Sequence, residues 1–199
     1  MTWAPKSLNH PTFGACELVP SILAIKWVKP LDREAIIAAL SKYSLSLATE
    51  APTADPAVPK SRRDPRAINV NQSDSLTWAS GTISDNTVAP LKTDGSVEWV
   101  APVYRASKAD HGPTSYFAVN PKVLFLDQET AGAAGDVKSI DESASIDQNR
   151  GKLLKGHVVL NLPSGNAIEV ADRLRERSGS QGTAGGIKFE NIPYISPVC

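Results

Sequence analysis

A chain of 199 residues, 41% hydrophobic and 21% charged, is long enough for one full domain or two small ones around a real core. Those values exclude wholesale disorder, collagen and coiled coil. Lys plus Arg and Asp plus Glu number 21 each, so the formal charge is zero and the basic excess of a nucleic-acid binder is missing. The 15 prolines and 13 glycines, against four Phe and four Tyr, predict long loops between modest elements.

The N-terminus has no basic stretch followed by an apolar run, so no signal peptide is expected and a cytoplasmic location is the default. The most apolar segment, Val19 to Val28, contains Pro20 and Lys26 and is too short to span a bilayer. Cys16 and Cys199 do not make a disulfide framework and read as free thiols; Cys199 also lies outside any prenylation pattern.

In chain order, residues 1–18 read as an irregular arm. Ser21 to Val28 is a strand, with Leu23, Ile25 and Trp27 on one face and Ile22, Ala24, Lys26 and Val28 on the other. Asp32 is an N-cap, Leu31 and Ile36 form a staple, and Ile36, Ile37, Leu40 and Tyr43 predict a helix over 33–44. Residues 49–66, with Pro52, Pro56, Pro59 and Pro65 beside Lys60, Arg62, Arg63 and Arg66, read as a solvated linker. Ala67 to Ser80, Ser96 to Arg105 and Phe117 to Leu126 are strand candidates. Residues 127–151 are acidic and rich in small residues, and read as an exposed insertion without the loop of a calcium hand.

The last fifty or so residues carry the clearest pattern. Gly156 to Leu162 alternates as a strand, Pro163-Ser-Gly165 turns, and Asn166 caps a helix whose Glu169 reaches back to the cap. Ile168, Ala171 and Leu174 line one side of that helix. Residues 178–186 form a flexible stop, and Ile187 to Ile192 alternates again.

Catalytic chemistry is missing. His10, His111 and His157 sit in no catalytic context, and there is no nucleophile elbow, phosphate loop, dinucleotide fingerprint or Cys-x-x-Cys pair. His10 and Cys16 alone do not make a zinc site. Asn71-Gln72-Ser73 matches the glycosylation triplet, which is common by chance. No catalytic, cofactor-binding or metal-binding residue is assigned, and the chain reads as non-catalytic by itself.

The segment Val158-Val-Leu-Asn-Leu-Pro-Ser-Gly-Asn-Ala-Ile-Glu-Val-Ala-Asp-Arg-Leu174 resembles the second half of the N-terminal propeptides of subtilisin-like serine proteases. In those, a final strand of the form Val-Glu-Tyr-Ala-Glu-Pro-Asn-Tyr leads into the protease. Ile187-Lys-Phe-Glu-Asn-Ile-Pro-Tyr194 is similar to that strand, and Val97-Glu-Trp-Val-Ala-Pro-Val-Tyr104 more so. The two form a near-repeat, Val97 matching Ile187, Trp99 matching Phe189 and Tyr104 matching Tyr194. Residues 21–44 resemble the first half of such a propeptide, and Phe117 to Leu126 the opening strand of a second copy.

The resemblance implies an α+β fold with a ferredoxin-like antiparallel sheet, helices on one face, and two degenerate propeptide-like units. These would run over 19–106 and 107–195, between an arm at 1–18 and a tail at 196–199. The first unit would lack its second helix, and the second would carry the acidic insertion in place of its first. The implied role is that of folding assistant and inhibitor of a subtilisin-like protease. The open sheet face would pack on the protease, and Tyr194, Ile195, Ser196, Pro197, Val198 and Cys199 would lie in its substrate cleft as an added strand. Pro197 opposes that fit, because it lacks the N–H that a cleft strand donates. The alternative is a stand-alone ferredoxin-like module for protein–protein interaction, with no protease partner. Neither reading involves a cofactor, nucleic acid or a membrane.

Overall fold

A computed structural model describes residues 3–10, 13–48, 75–106, 116–127, 132, 134–178 and 186–193. The fold is α+β with a mostly antiparallel sheet. The elements are β1 (Ser7–His10), β2 (Gly14–Trp27), α1 (Arg33–Ser41), β3 (Ser46–Leu47), β4 (Leu76–Ser80), α2 (Asp85–Thr93), β5 (Val97–Ala106), β6 (Tyr116–Asp127), α3 (Ala134–Ile140), β7 (Ser145–Ile146), α4 (Gln148–Leu153), β8 (His157–Asn161), α5 (Ala167–Ser178) and β9 (Ile187–Pro193). The chain forms two compact units. The first comprises Met1–Asn9, Phe13–Ala118 and Ile192–Cys199; the second comprises His10–Thr12 and Val119–Asn191.

In the first unit the strand order is β3-β4-β2-β5, with the start of β6 on β5 and β1 on β2. β4 and β5 both run antiparallel to the β2 between them, and α2 connects them. The alternation of β2 sorts its side chains. Leu23, Ile25 and Trp27 pack with Leu40 of α1 and with Val88 and Leu91 of α2. Ile22 and Ala24 pack on the other face with Trp78, Trp99, Ala101 and Val103. Pro20 falls where the β2–β5 register slips between Leu18 and Leu23, a place where a strand tolerates a missing N–H. Helix α1 starts where the sequence predicts: the Asp32 carboxylate accepts from the Ala35 N–H at 2.8 Å. Leu31 and Ile36 both pack against the same core.

In the second unit β9 pairs β6, β6 pairs β8 and β8 pairs β7. This is the order of the first unit, with β7, β8, β6 and β9 in the places of β3, β4, β2 and β5. Over β3, β4 and β2 and their counterparts β7, β8 and β6 the registers agree residue by residue. Ser46 lies opposite Ser80, and Ser80 opposite Ile22; likewise Ser145 lies opposite Asn161, and Asn161 opposite Val123. Two backbone bonds recur as well. The Gly81 N–H donates to the Ser21 carbonyl, as the Leu162 N–H does to that of Lys122. The Ala48 N–H donates to the Trp78 carbonyl, as the Asp147 N–H does to that of Val159. Pro20 and Pro121 occupy the same place. The two units thus share a strand order and, over three strands, a register.

Several expectations are corrected. The arm at 1–18 holds β1 and the first five residues of β2, because Ser7–His10 finds a partner in β2. The first unit does have its second helix: Pro90 hides α2 in the sequence, yet its Val88 and Leu91 are fully buried. The acidic stretch is no bare insertion, since α3 and β7 stand there where α1 and β3 stand in the first unit, followed by α4. Asn166 does not cap α5 with its side-chain oxygen, which has no hydrogen-bond partner, and Glu169 pairs with Arg173 at 2.8 Å instead of reaching back. The first unit's face away from its helices is buried, with Trp78 at 9% and Trp99 at 8% exposure, so it is not the open face that the resemblance implies. Of the strand candidate Ala67 to Ser80, Leu76–Ser80 is strand. Residues 67–74, the basic linker 49–66 and His111 lie outside the described residues.

Candidate functional site

Tyr194, Ile195, Ser196, Pro197, Val198 and Cys199 all lie outside the described residues; β9 is the described element that precedes them in the chain. Strand β9 alternates as expected. Ile187 and Phe189 are buried, whereas Lys188 is exposed. The half-buried Glu190 accepts from Asn120 Nδ2 at 2.7 Å and from Arg150 Nη1 at 3.1 Å. Asn120 sits on β6 and Arg150 on α4, so one carboxylate ties three elements together. The tie extends further: Asp147 caps α4 through the Asn149 and Arg150 N–H groups, and its other oxygen accepts from Asn161 of β8 at 3.3 Å. The Arg150 N–H bond is the largest of the effects that hold the Asp147 carboxyl below its usual range.

Asn191 is held from β1. Its Oδ1 lies 2.9 Å from His10 Nε2, and His10 is 4% exposed. The His10 ring lies 6.1 Å from that of Phe189, and the Arg175 guanidinium lies 5.7 Å from the same ring. Burial lowers the His10 pKa, the Asn191 bond raises it and Arg175 repulsion lowers it further; the net shift is downward. The neutral ring is therefore the form that fits.

The other residues singled out by sequence stay apart. His157 lies 3.3 Å from Lys188 and meets no nucleophile in its described contacts. The Cys16 thiol is buried and donates to the Gly14 carbonyl, and burial raises its pKa, which makes it a poor thiolate. Among the described residues no group of three His, Cys, Asp or Glu side chains could hold a metal. No described helix is long and apolar enough to cross a membrane. Asp141 lies in a polar cluster with Ser143 and Ser164. It accepts from the Ser143 backbone and hydroxyl, and the Ser143 hydroxyl contributes most to lowering its pKa. Ser164 and Asn166 join it beside the start of α5, where a carboxylate complements the helix end.

The comparisons with known proteins add no relative: no family model, no curated protein and no solved structure matches the chain. The anchors of β9, namely His10, Asn120, Arg150, Glu190 and Asn191, were not legible beforehand. They converge from four elements, and only the alternation of β9 hinted that it was held.

Proposed function

We propose that the chain is the propeptide of a subtilisin-like serine protease, non-catalytic by itself, which assists the folding of that enzyme and blocks its cleft with residues 194–199. The observation that carries this reading is the anchoring of β9: buried Ile187 and Phe189, with Glu190 and Asn191 bonded from their side chains, hold the strand to within three residues of Tyr194. An inhibitory strand needs such a root, because its own ordering opposes binding. The repeated strand–helix–strand pattern supports it further.

One observation favours the stand-alone interaction module instead. The buried outer face of the first unit leaves no open sheet there for a protease to cover. Removal of residues 194–199 separates the two readings. With a purified subtilisin and a chromogenic peptide substrate, the full chain should inhibit and the shortened one should not, at unchanged thermal stability. Equal inhibition by both, or none by either, would overturn the propeptide reading.

A further inference from the structure

The second unit carries a groove of about 400 Å³ between α3 and β7, lined by Ala134, Gly135, Lys138, Ala144, Ser145, Ile146 and Leu160. The repeat explains its origin. Counted back from the matched strands β7 and β3, the residues in the places of Gly135, Ala144 and Ile146 are Ile36, Leu45 and Leu47. In the first unit Leu45 lies in one core, and Ile36 and Leu47 pack against it. The second unit keeps the walls but has lost the two bulky side chains to Gly and Ala. Ile146 is left 57% exposed, and a Cβ added at Gly135 would meet nothing within 4 Å.

Two more features define what fits. Strand β7 is the last in its order and pairs only β8 among the described strands, so its outer edge can receive another strand. Among the described residues the one charge lining the groove is Lys138, which is exposed and makes no ion pair with a described residue. On an added strand, side chains two positions apart share a face. We propose that this groove docks an extended segment of a partner protein carrying an aliphatic side chain and, two positions away, a carboxylate. The aliphatic group replaces the missing Ile36 and Leu45 equivalents, and the carboxylate meets Lys138. This surface is independent of the protease reading.

The test uses the isotope-labelled full chain and a blocked pentapeptide, acetyl-Thr-Ile-Thr-Asp-Thr-amide. Saturable amide shifts are expected at Gly135, Ala144 and Ile146, and a peptide with Ala in place of Ile should cause none. Gly135→Ile refills the groove from within, and should weaken the peptide by at least about tenfold without lowering the melting temperature. Lys138→Glu lies on the exposed rim and tests the charge by itself: it should prefer the peptide with Lys in place of Asp. No shifts, shifts elsewhere, or unchanged preference in Lys138→Glu would overturn the proposal.

Discussion

The two units share a backbone pattern and differ in what they place on the face away from their helices. The first carries Val19, Ala48 and Leu76 there, in or against a cluster with Trp78 and Trp99. At the corresponding positions the second carries Asn120, Asp147 and His157, and joins Asn120 and Asp147 through Glu190 and Arg150. The helix-facing positions do not diverge in this way: Leu23 and Ile25 answer to Leu124 and Leu126, all fully buried. The backbone ladder is indifferent to side-chain polarity, so it permits either outer face. The face beneath the helices is dehydrated in both units and has no such freedom.

The largest test of that equivalence is the helix core. Leu91→Ala in α2 and Leu174→Ala in α5 should each destabilise by about 2–5 kcal/mol, read by chemical denaturation, because both side chains are buried. A small effect at one site alone would break the symmetry between the units.

The turns after β4 and β8 sharpen the comparison. Alanine at Gly81 would bring its Cβ to 2.9 Å from Leu45 Cδ2 and 3.2 Å from the Ser44 carbonyl. Such a close approach should destabilise by about 1–3 kcal/mol. Gly165 has φ of 69° and only an ordinary contact, 3.9 Å, to Pro121, so Gly165→Ala should cost about 1 kcal/mol through the backbone alone. Melting temperatures should rank the two in that order.

The smallest effects are in pH dependence, and they separate the units. In the first, Asp94 accepts from Ser96 and from Tyr43, and its pKa falls from 3.8 to about 2 while that of Tyr43 rises to about 12. The depressed carboxylate stabilises above pH 3.8 and loses its contribution as pH falls towards 2. In the second, the lowered pKa of His10 means that the unfolded chain binds its proton first, so stability declines as pH falls below 6.5. Asp94→Asn should flatten the acidic limb and His10→Gln the limb below neutrality, each in a thermal melt recorded against pH. Interchanged limbs would show that the two groups are misassigned.

The amino-acid sequence by itself determined the features that local periodicity encodes. It defined the later part of β2 with its two faces, the Asp32 cap, helix α5 and the alternation of β9. It could not show α2, because Pro90 and a run of poor helix formers mask two buried anchors three residues apart. Nor could it show α3 and β7 within an acidic stretch whose buried apolar side chains, among the described residues, are Val137 and Ala144. Tertiary structure decided the rest: the strand order, the residue-by-residue match of the two registers, the polar ties that root β9, and the groove where Gly135 stands in the place of Ile36. Those depend on contacts between residues far apart along the chain, and no window of neighbouring side chains encodes which distant partner will lie opposite.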